Sequence, residues 1–186
     1  MQEVQSEYIT MDKKNIKKTK SGKNNELAKP RLQKIVVNVG LGRMSQQPNF
    51  VEKILPEITK DFASITGQKP ALTSSKKSIA GFKVRQGQVV GIKATLRRGR
   101  MRDFLERLVK IVLPRVKDFR GIDLKCVDHG GNLTIGLKEN VVFLEINPEV
   151  LKFDFGLEIS IVSNAKNREE AVELYRNLGI PLKKNG

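Results

Sequence analysis

Residues 62–102, between Asp61 and Asp103, contain no acidic side chain and ten Lys or Arg: Lys69, Lys76, Lys77, Lys83, Arg85, Lys93, Arg97, Arg98, Arg100 and Arg102. That one segment carries +10 of a net charge of +15. Like charges at this density repel one another, so the segment is best accommodated beside a dense array of negative charge. Nucleic acid is such an array, because Lys and Arg displace the counterions condensed on its phosphates. Glycines (Gly67, Gly81, Gly87, Gly91, Gly99) and apolar residues (Ile79, Phe82, Val84, Val89, Val90, Ile92, Leu96) are threaded through the charge. A disordered basic tail would lack the apolar residues. The stretch therefore reads as a folded, positively charged surface with a flexible element in it.

The chain of 186 residues suits one domain with a modest core, and 39% of its residues are apolar. A pI near 10.0 makes nucleic acid the leading partner and an anionic membrane surface the second. No apolar run approaches the roughly 20 residues needed to span a bilayer, and no membrane partner is expected. The single cysteine, Cys126, excludes an internal disulfide framework and fits a reducing compartment.

Residues 1–29 differ from the rest. They hold Lys13, Lys14, Lys17, Lys18, Lys20, Lys23 and Lys29 with few apolar residues, and read as a flexible basic arm or a solvated tail. Residues 30–186 read as a single domain. The β-branched run Arg31 to Val39 predicts a strand ending at Gly40. Phe50, Ile54, Ile58, Phe62 and Ile65 predict a helix opened by Pro48 and kinked at Pro56. Ala71 to Ser74 and Gln88 to Leu96 predict strands joined by a long basic loop. Met101 to Val112 predicts a helix with Phe104, Leu105, Leu108 and Ile111 inward. Asn132 to Leu137 and Leu157 to Ser163 predict further strands, with Val141 to Ile146 either strand or irregular. Asn167 and Glu170 form the pattern of a capping box before a last helix, whose inner face is Ala171, Leu174, Tyr175 and Leu178. The order β, α, β, β, α, β, β, α with short hairpin-like links predicts an α+β fold. Its single, largely antiparallel sheet would carry α-helices on one face, with the other face free for a ligand.

No catalytic set emerges. His129 is the only histidine, and with Cys126 it reads as part of a polar loop bounded by Gly130 and Gly131 rather than as a nucleophile and base. Zinc needs about four ligands, which a single Cys and a single His do not supply, so no metal and no cofactor are expected. Gly40-Leu41-Gly42 follows a strand but lacks the third glycine of a dinucleotide loop; a turn that brings backbone near RNA is the better reading. Glu139, Glu145, Glu149, Asp154 and Glu158 have no partner by spacing.

Six blocks carry a family likeness: Pro30–Gly42 (PRLQKIVVNVGLG), Thr66–Pro70 (TGQKP), Lys77–Gly87 (KSIAGFKVRQG), Lys93–Arg97 (KATLR), Asp118–Gly121 (DFRG) and Gly156–Ile159 (GLEI). With these, the chain resembles the bacterial-type family of large-subunit ribosomal protein five, the 5S rRNA-binding protein of the central protuberance. The resemblance spans roughly residues 28–184. It implies a curved antiparallel sheet packed on helices, basic loops on the RNA side, and no enzymatic activity. By motif position it implies that Asn38, Gly40, Gln68, Lys69, Thr95 and Arg97 meet 5S rRNA. Lys76, Lys77, Gly81, Phe82, Lys83 and Arg85 would form a loop touching peptidyl-site tRNA. The stretch with Phe119, Arg120, Gly121, His129, Gly130 and Gly131 would lie in an intersubunit bridge with small-subunit protein thirteen. The implied partners include 23S-type large-subunit rRNA and the neighbouring 5S-binding ribosomal proteins, and the implied location is a ribosome of the cytoplasm or of an organelle.

The sequence also departs from the family pattern. A Lys-rich arm replaces the usual N-terminal helix. Arg98-Gly99 replaces a Gly-Glu pair, which makes that point more basic. An Arg is missing between Gly130 and Gly131, Leu144 stands for a common proline, and Phe155 for a common arginine. Two rivals to a ribosomal protein are a free-standing nucleic-acid-binding module and an RNA-modifying enzyme; the second would need a paired acid and base that the sequence lacks.

Overall fold

The computed structural model describes residues 30–183, so the arm expected at 1–29 lies outside the described residues. Five strands form one sheet: β1 (Leu32–Gly40), β2 (Ala71–Ser74), β3 (Val89–Leu96), β4 (Leu133–Leu137) and β5 (Leu157–Ser163). Their order is β2-β3-β1-β5-β4, with every neighbouring pair antiparallel. β1 is central and alternates: Ile35, Val37 and Val39 are buried on one side while Lys34, Val36 and Asn38 point to the other.

Three helices cover the buried side: α1 (Leu55–Thr66), α2 (Arg98–Arg107) and α3 (Arg168–Asn177). α1 contributes Ile58, Phe62 and Ile65, α2 contributes Met101, Phe104 and Leu105, and α3 contributes Ala171 and Tyr175. The expected α+β architecture with helices on one face is therefore present. No helix among the described residues is long and apolar enough to cross a membrane.

Pro48 does not open the first helix: it lies in a turn, and Asn49, left-handed at φ 58°, separates it from the first helical residue, Phe50. The expectation at Pro56 takes a more specific form. α1 is preceded by a π-type turn, Phe50–Ile54, closed by the Leu55 N–H donating to the Phe50 carbonyl. Pro56 then falls in the first turn of α1. The wide turn makes room for the ring and puts the missing N–H where the ladder already slips by one residue. The same arrangement recurs beyond α2, where the π-type turn Leu108–Val112 precedes Pro114. There the extra residue rotates the inner face, so Val112 and Leu113 are buried and Ile111 is only half-buried.

Other expectations are corrected. Leu178 is exposed and Leu174 half-buried, because α3 ends at Asn177 and Gly179 turns the chain away at φ +80°. Asn167 has no side-chain capping bond. Glu170 instead accepts the backbone N–H of Lys166 at 3.1 Å, one residue upstream of the box. The link from β4 to β5, residues 138–156, is long and irregular rather than hairpin-like. It folds inward through Phe143, Ile146 and Phe155, and Phe143 stacks on Phe104 with ring centroids 6.3 Å apart.

Candidate nucleic-acid interface

The uncovered side of the sheet is built mainly from small and uncharged residues. Strand registry sets Thr95 beside Val36, Val36 beside Ser160, and Ser160 beside Thr134. The next row runs Ala71, Lys93, Asn38, Glu158 and Gly136. A third runs Thr73, Gly91 and Gly40. Asn38 and Thr95 are thus diagonal neighbours on one face, and Gly40 closes its far end. Short side chains leave backbone and hydroxyls within reach of a broad ligand. Gly91 is required by the sheet itself: a Cβ there would stand 2.8 Å from the Val39 carbonyl oxygen.

The basic corner joins this face at the end of β3. Arg97 is exposed and extended (φ −139°, ψ 158°) directly after the strand. α1 ends at Gly67 in the left-handed region, and the chain passes through Gln68 and exposed Lys69 into β2. Arg100 donates to the Gln68 amide oxygen at 3.4 Å, which ties the end of α1 to the start of α2. Gln68 and Lys69 from one segment therefore gather with Thr95 and Arg97 from another around one end of the sheet.

The loop from Ser75 to Gln88 is an ordered extension of the β2–β3 hairpin. Ser75 N–H donates to Gln88 O at 2.8 Å, and Ile79 pairs with Val84. A 3₁₀ turn, Ala80–Phe82, makes the tip. The sequence points to Gly81 as the residue that bends the tip, but the tip residue in the left-handed region is Lys83, at φ 51°. Gln46 donates to Phe82 O at 2.8 Å and Gln88 to Ser45 O at 2.9 Å, so the finger rests on the turn after β1. Lys76, Lys77, Gly81, Lys83 and Arg85 are exposed, and the Phe82 ring is 70% exposed at the tip. An apolar ring presented this way among cations is suited to stacking on a base or ribose.

Residues 119–131 run along α3. Gly121 (φ +91°) precedes a bridge of Ile122 to Leu182, with Ile122 N–H on Pro181 O at 2.8 Å. Arg168 donates to Leu124 O at 2.8 Å. Asp128 closes the following turn by accepting the Asn132 N–H at 2.7 Å and its side-chain amide at 2.8 Å. Those bonds, the amide one first, hold the Asp128 carboxyl below the usual carboxylate range. Arg120, His129 and Gly130 are exposed and Phe119 is half-buried. Gly131 is buried, and its carbonyl accepts from the Ser163 hydroxyl at 2.8 Å and the Tyr175 hydroxyl at 2.7 Å. Burial pushes the Tyr175 hydroxyl up to about 12.

Comparison with known proteins assigns the chain to a family. Residues 25–85 match the family model described as ribosomal protein L5, and residues 89–182 match the model of that ribosomal family's C-terminus. The large ribosomal subunit protein uL5 of Desulfatibacillum aliphaticivorans is 48% identical over 163 residues, 88% of this chain and 89% of that protein. That of Halothermothrix orenii is 46% identical over 157 residues, 84% of this chain and 86% of that protein. The chain belongs to the ribosomal protein L5 family. It is accordingly a structural, non-enzymatic constituent of the large ribosomal subunit and serves translation. The uL5c protein of Paulinella chromatophora is also similar, 46% identical over 156 residues, 84% of this chain and 85% of that protein. The two L5 family models meet inside the β2–β3 hairpin, yet β1 from the first pairs with β5 from the second, so the sheet makes one unit of them.

Glu158, which has no partner by spacing, belongs to this face. Its position beside Asn38 comes from the registry of β1 with β5.

Proposed function

We propose that the open face and its basic corner bind 5S rRNA, with Asn38, Gly40 and Thr95 on the face and Gln68, Lys69 and Arg97 at the corner. The observation that carries this reading is the placement of Asn38, Gly40 and Thr95 along one side of the sheet, with Gln68, Lys69 and Arg97 gathered at the Thr95 end of it. Amides and hydroxyls on a flat face can bond phosphate, 2′-OH and base edges, while the corner supplies charge at the margin. Glu158 fits the same role as an acceptor for a base amino group. The 75–88 finger reaches peptidyl-site tRNA, its lysines on phosphate and Phe82 against ribose or base. The exposed Arg120, His129 and Gly130, with half-buried Phe119 beside them, face the small subunit, where protein thirteen is the neighbour. Large-subunit rRNA and the other 5S-binding proteins complete the surroundings.

Asn38→Ala combined with Thr95→Ala is expected to weaken 5S rRNA binding by roughly 10-fold, about 1.4 kcal/mol, in a filter assay, with an unchanged melting temperature. Wild-type affinity in that variant sinks the assigned face. Replacing Lys76, Lys77 and Lys83 by Gln is expected to leave 5S affinity near wild type and to reduce crosslinking of the finger to tRNA in assembled ribosomes. A collapse of 5S affinity instead would move the finger onto the 5S surface.

A further inference from the structure

Arg97, Arg98, Arg100 and Arg102 stand exposed within six residues, where β3 ends and α2 begins. None has an ion-pair partner among the described residues, whose side-chain ion pairs join Arg107 to Glu145, Lys110 to Glu106 and Lys152 to Glu57. Arg98 adopts φ +54°, a left-handed conformation that a Cβ disfavours. The residue that would take this conformation freely, Gly99, stands one place later and does not use it. The exposed Arg98 side chain fills no core space, so packing does not explain why a strained arginine occupies the turn. Strained backbone clusters at ligand-binding sites, and here it is held at a solvent-facing cation among others without ion-pair partners, an arrangement suited to an anionic partner. The corner is also continuous with the open face, since Thr95 lies two residues before Arg97 and Arg100 is tied to Gln68.

We infer that this arginine corner grips the sugar-phosphate backbone of 5S rRNA as the RNA leaves the open face and passes over the end of the sheet, with Arg98 and Arg102 as phosphate contacts beyond those of the face itself. The inference rests on reading the open face as the RNA surface. Guanidinium forks match phosphate oxygens in bidentate fashion, which suits a backbone grip that carries no sequence information. The corner thus supplies affinity and salt dependence, and the face supplies the choice of RNA.

The test uses the full chain, 5S rRNA, an unrelated stem-loop of equal length, and a salt series. Arg98→Gln with Arg102→Gln is expected to reduce the slope of log affinity against log salt by about two. The ratio of 5S to stem-loop affinity should stay as in the parent. Arg98→Gly separates strain from charge: it is expected to raise the melting temperature by roughly 2–4 °C while lowering the slope by about one. An unchanged slope in the double variant, with the parent's 5S preference intact, overturns the corner and leaves the face standing. A fall in melting temperature for Arg98→Gly overturns the argument from strain. A parent chain with no preference for 5S rRNA overturns the face and the corner together.

Discussion

Ser160→Glu is expected to lower the affinity for 5S rRNA by about 100-fold, roughly 2.8 kcal/mol. Ser160 sits in β5 at the middle of the open face, with Val36 on one side and Thr134 on the other. Neither of these paired neighbours is a cation, so a carboxylate would meet an approaching phosphate with no partner directly beside it. The longer side chain would also lift the ligand away from the small residues on either side. Glu158 shows that one acid can stand on this surface, but it lies exposed beside Asn38 in the next row, with room to accept a base amino group. The side chain at 160 points away from the helix layer, whose strand contacts come from Ile159 and Ile161. Folding should therefore be nearly unaffected. The measurement is a binding titration with Ser160→Thr as the control, a neutral β-branched residue that suits a strand and keeps the hydroxyl. Ser160→Thr should bind within a few-fold of the parent. If Ser160→Glu binds as the parent does, the RNA lies on some other surface.

Much of this face was legible as strands and not as a face. β1, β3 and β5 announce themselves by β-branched alternation, and Leu157 to Ser163 matches the expected bounds. What alternation along one strand does not reveal is which strand lies beside which. The neighbours of β1 are β3 and β5, and these pairings are non-local, so Glu158 could not be set beside Asn38 from spacing. The acid-free segment was equally visible as charge, while its division was not. Its finger is ordered by Ser45, Gln46, Ser78 and Gln88, polar residues whose bonds across the sequence leave no periodic trace. Lys83 in the left-handed region is another case, since the sequence offers Gly81 nearby as a more natural host. Pro56 and Pro114 do signal a break in the ladder, but spacing alone did not show that a wide turn ahead of each ring meets that break.

The glycine pair after His129 shows how function and packing were entangled in the sequence. Gly131→Val is expected to destabilise the fold by about 4 kcal/mol, a fall of roughly 8–16 °C in melting temperature. Gly131 holds φ +76°, where a β-branched residue is a severe outlier. Even a Cβ would stand 3.1 Å from the Ala171 methyl, 3.3 Å from that of Ala165 and 3.3 Å from the Ser163 hydroxyl. The left-handed conformation costs about 1–2 kcal/mol, and forcing bulk into a packed site costs about 1–3 kcal/mol. Displacing the Gly131 carbonyl would also strip the buried Tyr175 and Ser163 hydroxyls of their shared acceptor. Gly130→Ala is the informative comparison. Gly130 is exposed, and its Cβ would meet only Asp128 and Asn132 side-chain atoms, at 3.4 Å and beyond, so the change should cost under about 1 kcal/mol. Chemical denaturation of the two variants separates the roles. A large loss at Gly131 with little at Gly130 makes the first the anchor that holds the turn against α3, and leaves His129 and Gly130 as the part of that turn able to touch a neighbour in the ribosome. Equal tolerance at both positions would instead mean that the turn can move away from α3 at little cost, and the presentation of His129 would then not depend on this packing.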